Sequence, residues 1–438
     1  MTNIGSLCIV SQDRSRARHI GAFFEHARHR VGIYADVASA LDAMLAFPPD
    51  VVLVGENADA GFSAEVLQAM RAHAGTAGIP VALDMAAAPG WRGAADLRFD
   101  DVLPVNLDAD AMVFRLQPLF RLSTMLAELR LRAGDKAALP RLDAMPAAFG
   151  TVRALYLSLN PPQTLPQNFL SGDVLWETAT STAEAETIIT GPGFFDVAII
   201  DAPGGMIEDI VAFCRDMRDN PRLFNLPFLV RMPGITPEDC RDLYRSGASR
   251  VLPEEGGDAL LQREAEALIQ LQTRRNAVRD ALRRTLTEAT GHPRQAVYTE
   301  GFLVPYLSSR LSIAVERDRA LSVVHLHLPE AISLREEAGE TACQILSEQL
   351  GRWLSRLIRV EDLAARLSDS DFVVVLPDTL PSEAQFVMNR IAGVLTFTDF
   401  AVPDVYRPVK IWPLVGVAGM EPGDTAEGIL MRARANLS

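Results

Sequence analysis

Three arginines and one aspartate in the C-terminal third of the chain could bind a guanine nucleotide. Arg359 and Asp362 are three positions apart. An arginine can donate two hydrogen bonds to O6 and N7 of guanine, and an ionised aspartate can accept from N1–H and N2–H. Arg352, Arg356 and Arg359 follow helical spacing, which would place three positive charges on one helix face for phosphates. The pattern predicts a nucleotide site, but it is also the pattern of a solvated i,i+3 ion pair.

Two histidines could also do chemistry. His325 and His327 alternate along an apolar run and would share one face of a strand. A metal site needs a complete set of ligands. Because the sequence shows no third ligand beside the histidines, we predict no metal site.

The bulk composition limits the classes of partner. The chain has 438 residues, a formal net charge of −14 and a pI of about 5.1. An acidic protein is not expected to bind nucleic acid or an anionic membrane in general, so an anionic ligand would need a local basic pocket. Four separated cysteines give neither a disulfide framework nor a zinc site. Without a signal peptide or a long apolar stretch, we expect a reduced, cytoplasmic protein without membrane insertion.

The elements that must position these residues fall into three groups. In the first 120 residues, short apolar runs alternate with amphipathic segments, which is typical of a parallel sheet covered on both faces. The pattern then repeats after a loop rich in Ala, Pro and Gly, at residues 134–150. We therefore predict two flavodoxin-like, doubly wound α/β domains, 1–135 and 150–275. The remainder, 276–438, mixes strands and helices around a central hairpin and is predicted to be an α+β domain, joined by a long helix from Asp258 to about Ala289.

One segment carries a resemblance to a known family. Residues 359–379 read RVEDLAARLSDSDFVVVLPDT. The segment resembles the RxxD, GGDEF and PDT motifs of diguanylate cyclases, and the domain order resembles receiver–receiver–GGDEF response regulators of the PleD type. Within that group the chain is similar to an effector paralogue whose signature motif is degenerate and whose RxxD is retained. The resemblance implies two receiver domains followed by a nucleotidyl-cyclase-like domain.

Set against this family, the cyclase centre departs from the pattern. The resemblance places His327 where the family has a metal-binding Asp. Ser368 and Asp369 replace the two glycines of the motif, and Ser370 replaces its acidic metal ligand, ahead of Asp371. Hard divalent cations need oxygen ligands. We therefore predict a degenerate former active site and a chain that is not an enzyme.

The regulatory site of the family, by contrast, is matched. The resemblance assigns Arg359 and Asp362 to a site for cyclic di-GMP, and it adds Arg390 on the next helix. Arg356 would contribute a further positive charge. Cyclic di-GMP is then the expected ligand, and no other cofactor is expected.

The receiver resemblance implies phosphoryl-transfer residues that are mostly missing. In the first domain Gly55 stands at the acceptor position, and Met85 and Val105 stand near the Thr and Lys positions. In the second domain Asp201 occupies the acceptor position as a vestigial phosphoacceptor, but the acidic pair and the Lys are lacking. An Asp at the end of a strand can equally be a cap. We expect both domains to serve dimerisation and partner binding.

Taken together, the resemblance implies a cyclic di-GMP effector or adaptor. Its output would be the recruitment of a cell-cycle regulator to the cell pole for regulated proteolysis, through a proteolytic adaptor and as a homodimer. Two alternatives stay open: a dimeric scaffold that ignores nucleotide, and a residual enzyme that uses GTP. Titration with nucleotide separates the first alternative from the effector.

Overall fold

The computed structural model describes residues 4–55, 61–85, 99–103, 107–134, 151–160, 169–170, 172–220, 223, 226–252, 257–292 and 295–438. Val105, expected near a receiver Lys position, lies outside the described residues, as do the loop 135–150 and residues 253–256, which follow the fifth strand of the second repeat. Three five-stranded sheets form within these ranges. We call them, with their helices, the first, second and third units.

The first unit is a parallel sheet with the strand order β2-β1-β3-β4-β5. Short Val/Ile/Leu runs form its centre because helices bury both faces. Its strands are β1 (Gly5–Val10), β2 (His29–Tyr34), β3 (Val51–Gly55), β4 (Val81–Asp84) and β5 (Asp101–Leu103). Its helices are α1 (Arg14–His26), α2 (Val37–Ala46), α3 (Phe62–Ala72) and α4 (Ala109–Ala133).

The second unit repeats this order as β7-β6-β8-β9-β10, again all parallel. Its strands are β6 (Val152–Ser158), β7 (Val174–Ala179), β8 (Val197–Asp201), β9 (Phe228–Arg231) and β10 (Arg250–Leu252). Its helices are α5 (Thr182–Thr190), α6 (Ile207–Asp219), α7 (Pro237–Arg245) and α8 (Asp258–Thr290). Both sheets therefore have the flavodoxin-like order that the sequence predicts.

The third unit is a mixed sheet with the order β11-β13-β14-β12-β15. Only β11 and β13 pair in parallel; the other pairs are antiparallel. Its strands are β11 (Tyr298–Thr299), β12 (Leu321–His327), β13 (Leu363–Arg366), β14 (Asp371–Pro377) and β15 (Leu414–Gly419). Its helices are α9 (Glu300–Glu316), α10 (Pro329–Ala338), α11 (Glu340–Leu357), α12 (Pro381–Thr396) and α13 (Ala426–Ala435).

Val409 forms only an isolated bridge to Phe400, and the regular strand β15 begins at Leu414. One expectation about local structure is wrong. Arg359 does not share a helix face with Arg352 and Arg356, since α11 ends at Leu357. The domain boundaries drawn from the sequence stay a prediction.

Helix α4 connects the three units. It packs against α8 through an apolar seam that includes Leu126, Leu129, Val278 and Leu282. It also contacts α9 of the third unit. No helix of the described ranges combines the length and the apolar character that crossing a bilayer requires.

Candidate nucleotide-binding site

The predicted site is built on the turn that follows α11. The Asp362 backbone N–H donates to the Arg359 carbonyl at 3.1 Å, and the Arg359 backbone N–H donates to Asp362 Oδ2 at 2.8 Å. Asp362 is thereby a buried turn cap, 7% exposed, while the Arg359 side chain points outward and is exposed. Burial, and then the nearby charge of Glu361, raise the pKa of Asp362 to about 7, against the opposing charge of Arg359.

All four predicted ligand residues line one cleft of about 990 Å³. Arg356 is in the last turn of α11, Arg359 follows this helix, Asp362 precedes β13, and Arg390 comes from α12. A second cavity of about 460 Å³ shares Arg356, Arg359 and Asp362 with the first, so the turn borders both. The cleft brings the residues together; that they bind nucleotide stays a prediction.

The other wall of the cleft carries residues that sequence reasoning missed. Arg121 of α4, Arg218 of α6 and Arg275 of α8 line the same space, so all three units contribute positive charge. Burial, and then the charge of Arg121, lower the pKa of Arg275 to about 10. Phe386, 72% exposed and one helical turn before Arg390, adds an aromatic face. No local signal singles out the three arginines, because their proximity depends on how the units pack.

Helix α4 also holds the turn directly. Arg121 Nε lies 2.7 Å from Glu361 Oε1, and this carboxylate is almost fully buried. Arg132 donates to the carbonyl of Val360 at 3.2 Å and to that of Glu361. The two middle residues of the RxxD turn are therefore bound by the first unit.

Where the family resemblance places the catalytic metals, the structure shows a hydrogen-bonded cluster around Asp371. Its Oδ1 lies 2.8 Å from His325 Nε2 and 3.0 Å from His327 Nδ1. Its Oδ2 accepts from the hydroxyls of Ser368 and Ser370, each at 2.8 Å. Although burial opposes the change, these hydrogen bonds hold the pKa of Asp371 well below its usual range. Both histidines therefore share Asp371 as their partner, and the sequence alone did not reveal this contact.

This donor set differs from that of a two-metal centre. Mg²⁺ prefers oxygen ligands in near-octahedral geometry, whereas the cluster offers two imidazoles and one carboxylate. Asp369, at the second glycine position, is bound instead to Arg335 at 3.0 Å. Within the described ranges, no group of three or more His, Cys, Asp or Glu is arranged to hold a metal. The residues present do not fit a pair of hard divalent cations.

The Asp201 carboxylate is enclosed by side chains. It accepts from Tyr156 Oη at 3.0 Å and from Asn160 Nδ2 at 2.9 Å, and it forms an ion pair with Arg231. Arg231 also reaches Asp258 at the start of α8, at 3.1 Å. The arginine comes from the end of β9, and sequence reasoning missed it. Asp201 therefore connects the sheet to the first turn of the long helix.

In the first unit, the position equivalent to Asp201 is Gly55, which is closely packed against the side chain of Ser11. A Cβ at Gly55 would lie 2.5 Å from Ser11 Oγ. Met85 is buried in the apolar core beside this strand end. The packing thus favours glycine at this position.

Three comparisons with known proteins bear on these observations. Residues 297–438 match the family described as "Diguanylate cyclase, GGDEF domain". Over 422 residues the chain is 22% identical to response regulator PleD of Caulobacter vibrioides, covering 91% of this chain and 90% of PleD. Two similar solved structures are the FimX GGDEF domain from Pseudomonas aeruginosa and the DgcB GGDEF domain from Caulobacter crescentus in complex with c-di-GMP. They are 21% and 16% identical, cover 33% and 32% of this chain and 88% and 80% of theirs, with TM-scores of 0.31 and 0.30.

The family match corrects one prediction. The expectation that the chain is not an enzyme is wrong, because the matched family is an enzymatic one. The cluster around Asp371 describes how the centre is arranged and does not show that it is inactive. Residues 297–438 are a GGDEF domain with a cyclase-like fold, and over 91% of its length the chain is similar to response regulator PleD.

Proposed function

We propose that the chain binds cyclic di-GMP in the cleft at Arg359 and Asp362 and couples the bound nucleotide to the packing of its three units. One observation carries the proposal: the RxxD turn of a GGDEF domain opens into a cleft lined by arginines from all three units. Guanine edges fit an arginine and a carboxylate, and the phosphates of the ligand fit the remaining arginines.

The deciding experiment is calorimetric titration of the full chain with cyclic di-GMP. Arg359→Ala removes a bidentate donor and should weaken binding roughly 10- to 100-fold, since such a pair contributes about 1–3 kcal/mol. Arg352→Ala is the matched control, because Arg352 is exposed on α11, the helix that precedes the turn, and lines neither cavity. Equal affinities for the two variants, or no binding by the unchanged chain, would reject the proposal.

A second activity has its own support. The match to the diguanylate cyclase family favours use of GTP, so the same protein should be incubated with GTP and divalent cations and the product measured. Formation of cyclic di-GMP would make the cleft a product-binding site of an enzyme. Binding without turnover would leave the chain a receptor for nucleotide made elsewhere.

We further propose that the first two units are receiver domains that serve dimerisation and partner binding. Their repeated sheet order and the similarity to a response regulator support this.

The proposed output, resting on resemblance alone, is recruitment of a proteolytic adaptor and a cell-cycle regulator at the cell pole by a homodimer. Co-purification from cells at high and low cyclic di-GMP, with Arg359→Ala as control, tests it; partners retained equally in all samples would contradict a nucleotide-dependent output.

A further inference from the structure

Four charged side chains meet where the first and second units touch. They are Asp101 and Arg115 of the first unit and Arg250 and Glu264 of the second; we call them the quartet. Each is 4% exposed or less, although charged residues are rarely buried this deeply unless they are paired. Within each unit the acid binds the base: Arg115 Nε lies 3.0 Å from Asp101 Oδ2, and Arg250 Nη1 contacts Glu264 Oε2.

Pairs of the quartet also form between the units. Arg250 Nη2 lies 2.8 Å from Asp101 Oδ1, which joins strand to strand. Arg115 Nη2 lies 2.9 Å from Glu264 Oε2, which joins helix to helix. The interface therefore holds four charges in a closed set of alternating sign.

The four positions are equivalent in the two units. Asp101 is the first residue of β5 and Arg250 the first residue of β10, and both are the fifth strand of their sheet. Arg115 is the seventh residue of α4 and Glu264 the seventh residue of α8, and both helices follow that fifth strand. The two units therefore meet through the same face. In the first unit the acid is on the strand and the base on the helix, whereas in the second unit the base is on the strand and the acid on the helix.

This exchange has a consequence for partner choice. If two copies of the first unit met through this face, Asp101 would face Asp101 and Arg115 would face Arg115. Two copies of the second unit would likewise place Arg250 against Arg250. Each charge would keep its partner within its own unit but would face a like charge across the interface, and buried like charges placed side by side repel strongly, so both homotypic arrangements are disfavoured.

We propose that the quartet determines binding specificity at this face: the first unit binds the second unit there, and a second copy of the first unit is excluded. Two neighbouring ion pairs also join the units, and in both of them the acid is on the first unit and the base on the second. Asp100 contacts Arg274, and Asp110 lies 3.3 Å from Arg245. Specificity of this kind combines attraction to the right partner with repulsion of the wrong one.

Variants of the full chain in which acidic and basic residues of the quartet are swapped test this proposal. The half-swap, Asp101→Arg with Arg115→Glu, keeps an ion pair within the first unit but places like charges across the interface. We expect amide hydrogen exchange in α4 and α8 to rise at least about 10-fold and the radius of gyration to increase. The full swap adds Arg250→Asp and Glu264→Arg, recreates all four pairs, and should return both readouts to those of the unchanged chain.

A neutral variant, Asp101→Asn with Arg115→Gln, separates repulsion from simple loss of ion pairs and should open the interface less than the half-swap does. If the half-swap also exposes β1–β5, the mirrored half-swap, Arg250→Asp with Glu264→Arg, imposes the same like charges from the second unit. Unchanged exchange in a half-swap whose strands remain protected would overturn the proposal. So would a full swap that stays open.

Discussion

At the scale of single residues, the observed role of Asp362 competes with its proposed role. As a turn cap it is buried and accepts from the Arg359 backbone N–H. As the proposed guanine ligand it would have to present an ionised carboxylate, since only the ionised form is purely an acceptor. Burial raises its pKa to about 7, so its charge changes near neutral pH.

Nucleotide affinity should therefore depend on pH. Below pH 7 Asp362 is protonated and offers fewer acceptors to guanine, so we expect binding to strengthen by roughly 10-fold from pH 6 to pH 8. Titration calorimetry across this range gives the affinity. Asp362→Asn should bind weakly with a flat profile, whereas a flat profile for the unchanged chain would contradict the assignment.

The same pKa predicts the opposite trend for stability. The folded-state pKa, about 7, is above the value of about 3.9 for an unfolded Asp. The folded protein then binds the extra proton, and this contribution to stability is full below pH 4 and lost as pH rises through 7. Thermal unfolding of the unchanged chain and of Asp362→Asn should differ in slope between pH 5 and pH 8; parallel slopes would argue against a raised pKa.

At the scale of elements, much of the fold is readable from local patterns. Alternation of apolar runs with amphipathic segments predicts both parallel sheets. Gly339, with a φ of +87° that favours glycine, separates α10 from α11. Only part of the candidate site can be predicted from the sequence. Arg359 and Asp362 are neighbours in sequence, but Arg121 and Arg275 reach the cleft through packing between units. The histidines likewise gain Asp371 only through the pairing of β12 with β14.

The contact of α4 with the RxxD turn gives an element-scale prediction. In Arg121→Ala, the buried Glu361 charge loses its partner, and Asp362 beside it becomes harder to ionise. We expect roughly 10-fold weaker cyclic di-GMP binding at pH 7 and a binding midpoint shifted to higher pH. Calorimetry over a pH series measures both.

Two further variants isolate the cause. Arg130→Ala, also on α4 but exposed and outside both cavities, should leave binding unchanged. Adding Glu361→Gln to Arg121→Ala removes the unpaired charge and should return the pH midpoint to that of the unchanged chain. If the midpoint does not return, Arg121 acts on Asp362 directly through its own charge rather than through Glu361.

At the scale of the whole molecule, buried ion pairs join the first unit to the third. Arg319 of the third unit contacts Asp50 of the first and lies 2.7 Å from Asp378 of its own unit. Within α4, Glu128 Oε2 lies 3.0 Å from Arg132 Nη2. Glu128 Oε1 lies 3.3 Å from Arg310 Nε of the third unit. Buried pairs of this kind add little net stability over an apolar contact, but they specify how the partners align.

Glu128 is the member of this network whose loss should be felt most. It is fully buried, it accepts from Tyr306 Oη at 2.7 Å, and it offsets both Arg132 and Arg310. Glu128→Gln keeps the size of the side chain but leaves two buried guanidinium groups short of a counter-charge, so we expect the free energy of unfolding to fall by about 3–5 kcal/mol. Urea unfolding measures it, with Glu316→Gln on exposed α9 surface as the control. A loss as small as that of the control would mean that the contact of α4 with the third unit, and with it the nucleotide turn, is held in place by packing rather than by the charge of Glu128.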